Sequence, residues 1–288
     1  MAARPGRRRG RLAALTTAVT LAAAAAGTAS AGTVSAGTVE AATTAPAPYW
    51  TPARMASATP VTSPSPPGTP SPTYSDGVPT VGALFFTTGK KSHFCTASVV
   101  DSDSNDMILT AAHCVYDHGY ATHIAYVPEW HNGASPYGVW PVRSITVASG
   151  WQQSHDAGLD FAFLKVAPPS GQSLPVQAVT GGLQLGIDQG YANQITAIGY
   201  NDTDSQPISC ATNSFESRPG QQEFYCNGFW NGTSGGPMIT NYDPADGTGT
   251  VVGVIGGYQR GGHYKWASYS DYFGDPVQQL FLQAQTSP

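Results

Sequence analysis

The 288-residue chain is poor in charge, at 11% Asp, Glu, Lys and Arg, and rich in glycine (33) and proline (23), which suits a loop-rich extracellular β protein better than a helical cytosolic one. Five of its thirteen basic residues stand in the first eleven positions; from Ser75 onward seven Lys and Arg face seventeen Asp and Glu, a balance of −10. A body this acidic excludes nucleic acid as a partner, because neutralising phosphates takes Lys and Arg.

The first 31 residues read as a signal peptide. A basic start (Arg4, Arg7, Arg8, Arg9, Arg11) precedes an apolar run from Leu12 to about Ala26, and Ala29-Ser30-Ala31 supplies the small residues of a cleavage site. The run is Ala-rich and broken by Thr16, Thr17 and Thr20, which makes it marginal for a membrane span. Residues 32–77 are biased to Ala, Thr, Ser and Pro, most strongly from Ser57 to Thr73. With few large apolar side chains they cannot bury a core, and are expected to be a propeptide of a zymogen or a disordered spacer.

From Val78 the texture changes. Short apolar runs, among them Val81–Phe86, Cys95–Val100, Met107–Ala112, Phe161–Val166, Gln194–Tyr200 and Val251–Gly257, are mostly bounded by Gly, Pro, Asn, Asp or Ser. That pattern predicts an all-β sandwich or barrel of many short strands. Ala167–Gln177, with Pro168, Pro169 and Gly171, reads as a connector between two halves. Near the end, Val277, Leu280 and Phe281 keep helical spacing behind Asp275 and Pro276, which predicts a closing helix with Asp275 as its N-cap. The four cysteines, Cys95, Cys114, Cys210 and Cys226, allow three pairings; exported chains oxidise them, and no short metal-binding spacing is present.

Three strings carry chemistry. Leu109–Cys114 brings a small-residue strand end to His113, directly followed by a cysteine that can pin the imidazole's backbone. Asn231–Pro237 presents Ser234 among Gly232, Gly235 and Gly236. A nucleophilic serine needs an adjacent base and donors for an oxyanion, and a residue without Cβ at 232 lets the N–H groups of Gly232 and Ser234 aim at one point. The third element is an acid that orients the imidazole. Asp160, entering the apolar run that begins at Phe161, suits that task; Asp156, four residues earlier, is its competitor.

Taken in the order His, Asp, Ser, these strings resemble the trypsin/chymotrypsin superfamily of serine peptidases, over roughly Val78 to Gln285. Cys226, eight residues before the serine, makes the details most similar to the bacterial secreted branch that includes glutamyl endopeptidases. The resemblance implies two six-stranded antiparallel β-barrels, about residues 78–170 and 171–288, with His113 and Asp160 from the first and Ser234 from the second. It also implies disulfides Cys95–Cys114 and Cys210–Cys226, and a secreted serine endopeptidase with a Ser-His-Asp triad and an acyl-enzyme intermediate.

Departures from that pattern matter too. Thr233 stands where animal trypsins hold the aspartate that captures a new N-terminus. Alignment puts Gly228, Ile255, Gly256 and Gly257 at the substrate pocket, with Gly228 where trypsins carry an acid and Ile255 where glutamate-specific members carry a histidine. A pocket without a charge reader disfavours charged side chains, which implies apolar or broad specificity. His263 and Lys265 read as surface-loop residues, with the alternative that they fold inward and supply an anion reader. His93, His118, His123, His131 and His155 show no ligand spacing, so no metal and no cofactor are expected. The expected partners are polypeptide substrates, with no nucleic acid and no membrane after signal cleavage, for a monomer. Two alternatives compete: a non-catalytic binding module on the same scaffold, and an esterase using the same triad.

Overall fold

The computed structural model describes residues 51–57, 63–202 and 204–287. The signal peptide and most of the region up to residue 62 lie outside them. The chain divides into two compact units, residues 1–60 and 61–288. Of the first, the described part is the single-turn helix α1 (Pro52–Ser57), which buries no residue.

The second unit begins with β1 (Thr73–Tyr74), followed by β2 (Val81–Thr88), β3 (Lys91–Val99), β4 (Met107–Thr110), the short helix α2 (Ala112–Val115), β5 (Thr122–Pro128), β6 (Trp140–Val147), α3 (Ser149–Ser154) and β7 (Ala162–Val166). Strands β2 to β7 close an antiparallel barrel in the order β2-β3-β4-β7-β6-β5. The apolar runs of the sequence are what they bury: β4 and β7 are buried at every position, which lets side chains of one strand face the barrel interior and their neighbours face the next layer. Trp140, Tyr126, Leu84 and Ile108 fill this core.

After the connector come α4 (Val176–Thr180), β8 (Gln184–Leu185), β9 (Gln194–Tyr200), β10 (Pro207–Arg218), β11 (Gln221–Tyr225), β12 (Pro237–Asp243), β13 (Thr248–Val254), β14 (Ala267–Asp271) and α5 (Asp275–Thr286). The second half carries more than the six strands expected. Its sheet runs β14-β11-β10-β9-β12-β13-β8, with β1 paired to β10 off this path. Strands β9 to β14 are the six antiparallel ones, and the sheet curls until β14 meets the end of β13, where Val254 N–H donates to Ser270 Oγ (3.0 Å) and Gly256 N–H to the Tyr269 carbonyl (3.0 Å). The extra strand β8 runs parallel to β13.

Between the two halves lies another apolar cluster, in which Leu109 and Phe161 from the first meet Ile198 and Ile239 from the second. Helix α5 closes it with Val277, Leu280 and Ala284. The N-cap of α5 is Gly274 rather than Asp275: the Gly274 carbonyl accepts from Val277 and Gln278, which leaves Asp275 and Pro276 inside the first turn.

The boundary expected near residue 78 falls inside the folded unit. Thr73 and Tyr74 pair with Ser209 and Ile208, the Pro70 carbonyl accepts from Asn227 N–H (2.8 Å), and the Ser63 carbonyl accepts from Trp266 Nε1 (2.9 Å). Proline cannot donate to a ladder, so this stretch packs through its carbonyls and rings.

Candidate active site

His113 sits on α2, the turn that follows β4. Its neighbour Cys114 is bonded to Cys95 of β3, and Cys210 is bonded to Cys226, the two pairings that the resemblance implied. The first bridge ties the imidazole's backbone to the barrel wall. Asp160 is fully buried and receives three hydrogen bonds: His113 N–H to Oδ1 (2.8 Å), His113 Nδ1–H to Oδ2 (2.8 Å) and Gly257 N–H to Oδ2 (2.9 Å). Donation through Nδ1 leaves Nε2 of His113 as the ring's acceptor. Asp160 does not open a strand, as the sequence suggested; it ends the 3₁₀ turn Ala157–Leu159, and β7 begins two residues later. Asp156 caps that turn by accepting from Gly158 N–H (2.9 Å), so its carboxylate is engaged away from His113.

Ser234 lies on the loop before β12. Gly235 has φ +78°, and a Cβ there would collide with Thr110 Oγ1 and the Thr96 carbonyl. Only glycine fits, and its fit sets the residue beside Ser234 directly against the end of β4, three residues before His113. The loop is fixed further by Gly235 N–H to the Ile255 carbonyl (2.7 Å) and Gly236 N–H to the Thr233 carbonyl (2.8 Å). Thr233 is buried and donates to the Trp230 carbonyl (2.6 Å), so the loop holds its own turn without an aspartate. Among the described residues, the N–H groups of Gly232 and Ser234 donate to no protein acceptor.

Thr96 is the residue that sequence reasoning passed over. Fully buried in β3, it donates N–H to the Ser234 carbonyl (2.8 Å) and Oγ1–H to the Gly232 carbonyl (3.0 Å), and its Oγ1 accepts from Tyr200 N–H (2.9 Å). One residue of the first barrel thus holds both ends of the Ser234 turn, Ser234 through its backbone and Gly232 through its hydroxyl. The available signal was a threonine inside the otherwise small and apolar run Cys95–Val100.

Beside Ser234 opens a cleft of about 450 Å³, walled by Phe229, Trp230 and Ile255 and rimmed by Arg260, His263 and Lys265. Of the four pocket residues expected, Ile255 lines it and the glycines do not. Gly228 abuts Pro72, while Gly256 and Gly257 back onto Asp160. The two residues assigned to a surface loop, His263 and Lys265, are exposed yet line the cleft, because the loop folds back over it. The Lys265 ammonium sits 3.1 Å above the Trp230 ring, and among the described residues no carboxylate lines the cleft.

Behind the cleft, Asp271 is fully buried, with Oδ1 accepting from Gln221 Nε2 (2.7 Å) and Oδ2 without a partner among the described residues. Burial, and next the Asp160 charge, push its carboxyl well above the usual range.

A barrel pair carrying a His–Asp couple beside a glycine-anchored serine defines a class, the chymotrypsin-like serine endopeptidases. The family model for Trypsin matches residues 67–273, and the chain belongs to that family. It is 24% identical to the solved protease Anisep from Arthrobacter nicotinovorans, with a TM-score of 0.66 over 74% of this chain and 99% of that one. A solved Glu endopeptidase is 17% identical, with a TM-score of 0.61 over 76% and 99%. An extracellular metalloprotease of Bacillus subtilis (strain 168) is 30% identical over 82 residues, 28% of this chain; the match spans only about a quarter of that relative's length.

Proposed function

We propose that the chain is a secreted serine endopeptidase, acting as a monomer, that cleaves polypeptides through an acyl-enzyme with Ser234, His113 and Asp160 as its triad. The observation that carries this reading is the Nδ1–Asp160 bond of His113 at the strand end against which Gly235 seats the Ser234 loop. His113 Nε2 takes the Ser234 proton as Oγ attacks the peptide carbonyl, and Asp160 holds the tautomer and stabilises the imidazolium. The unengaged N–H groups of Gly232 and Ser234 receive the oxyanion. His113 then protonates the leaving amine, and water repeats the sequence to release the acid product. Export rests on the leader-like residues 1–31; among the described residues no helix is long and apolar enough to cross a membrane.

The cleft supports a revised specificity. Three basic side chains rim it; Asp117 pairs with Arg260 from outside the cleft, but among the described residues no carboxylate lines the cleft to oppose His263 and Lys265, so an acidic substrate side chain is favoured over a basic one. A fluorophosphonate probe should label wild type and not Ser234→Ala, and wild type should digest casein. Equal labelling of both proteins refutes Ser234 as nucleophile. Ester cleavage without casein digestion refutes the endopeptidase. Lys265→Glu should lower kcat/KM for acidic peptides relative to basic ones; an unchanged ratio refutes the specificity.

A further inference from the structure

Away from the triad, Asp117, His118 and His155 converge from two separate loops. Their three potential ligand atoms lie within 4.8 Å of one another. His155 Nε2 is 3.6 Å and His118 Nε2 3.9 Å from Asp117 Oδ1. The two imidazoles stand edge to face with centroids 4.6 Å apart, and Trp151 backs His155 at 5.0 Å. His155 Nε2 is shut off from solvent and has no hydrogen-bond partner among the described residues, although it faces this cluster. A buried polar nitrogen without a partner calls for an explanation, and an ion is one.

We infer that Asp117, His118 and His155 form a binding site for a borderline divalent cation of the Zn²⁺ type. Two imidazole nitrogens and one carboxylate oxygen suit Zn²⁺ and its neighbours, whereas Ca²⁺ and Mg²⁺ require oxygen ligands. The spacing needs only modest contraction to reach Zn–ligand bonds of about 2.0–2.2 Å. His118 and Asp117 sit on the exposed side, leaving a path in and a fourth position for water.

The site couples to the cleft through Arg260, whose Nη2 donates to Asp117 Oδ1 (2.9 Å) and Nη1 to Oδ2 (3.2 Å). Arg260 also rims the cleft and stands three residues after Gly257, the donor to Asp160. A cation on Asp117 takes the guanidinium's acceptor and repels its charge. Bound Zn²⁺ therefore releases Arg260 and lowers turnover, and Arg260 competes with the metal.

The binding test does not depend on catalysis. Calorimetry on the full chain carrying Ser234→Ala, titrated with ZnCl₂ alone, should give one bound ion, and CaCl₂ should give none. His155→Ala and His118→Ala should each weaken Zn²⁺ binding at least tenfold, and Arg260→Ala should tighten it severalfold. Because the exposed His118 ring can be removed without disturbing packing, that variant decides the matter if His155→Ala fails to fold. Absence of Zn²⁺ binding up to millimolar concentration, or binding unaltered by His118→Ala, overturns the site. Binding abolished by His113→Ala overturns it in favour of the triad histidine. In the active chain, micromolar Zn²⁺ should reduce kcat/KM in wild type and much less in His118→Ala; equal inhibition of both overturns the coupling.

Discussion

Replacing Thr96 by valine removes one hydroxyl at almost constant volume. Two hydrogen bonds go with it: Oγ1–H to the Gly232 carbonyl (3.0 Å) and Tyr200 N–H to Oγ1 (2.9 Å). The backbone bond from Thr96 N–H to the Ser234 carbonyl remains, as does the bond from Thr110 Oγ1 to the Thr96 carbonyl. Two lost bonds at about 1 kcal/mol each, with the buried Tyr200 N–H left unpaired, come to about 2–4 kcal/mol of stability. The catalytic effect follows from Gly232, whose carbonyl is no longer held and whose N–H can drift from the oxyanion position. Full loss of such a donor costs about 10²–10³ in kcat, so partial misplacement should cost about tenfold, with KM little changed. Urea denaturation and steady-state kinetics on a peptide substrate measure the two effects, and Thr96→Ser should restore both. A Thr96→Val protein with wild-type kcat and midpoint would refute the claim that this hydroxyl aligns the serine turn.

Asp160→Asn should keep the fold and lower kcat about 10⁴-fold, because an amide no longer enforces the Nδ1–H tautomer of His113; activity within tenfold of wild type removes Asp160 from the triad. Asp271→Asn tests the buried acid through its pH dependence. An acid whose pKa is raised on folding retains a proton that the unfolded chain has released, so its stabilising effect is whole below the ordinary carboxylate range and is lost as pH rises through the raised value. Wild type should thus lose stability from about pH 4 upward relative to the variant. Parallel stability curves between acid and neutral pH contradict this. Phe163→Ala removes a buried ring set against Phe281 of α5 at 5.3 Å, and should cost about 3–5 kcal/mol in thermal or urea unfolding. A loss below about 1 kcal/mol would show that the ring is not part of a tight core.

The residues proposed for the triad stand out in the sequence because their neighbours are as constrained as they are. Gly235 has no room for a side chain, Cys114 must reach Cys95, and Asp160 must end a turn just ahead of the apolar β7, so each leaves a mark in the local string. The short apolar runs between turn residues likewise announced the strands. What escaped depends on distant segments meeting. Thr96 reads as an ordinary strand residue until the Ser234 turn arrives from 138 positions later. His263 and Lys265 are polar residues in a loop, and nothing local decides between a surface position and the inward fold that the structure has. Asp117 and His155 are 38 residues apart and share no spacing rule, yet the turn after α2 and the left-handed His155 that ends α3 set them side by side. Residues 63–74 were misleading for the opposite reason: their composition suits disorder, but carbonyl acceptors and proline rings are enough to dock on a ready-made edge.

That docking sets what any removal of an N-terminal segment would do. A protease cutting at residue 77 would detach the partner of β10 and unseat the chain from Asn227 and Trp266, baring an edge next to the loop that bounds the substrate cleft. A processing site upstream of Ser63 instead leaves this natural selvage sewn in place, and the trimmed enzyme keeps a finished hem.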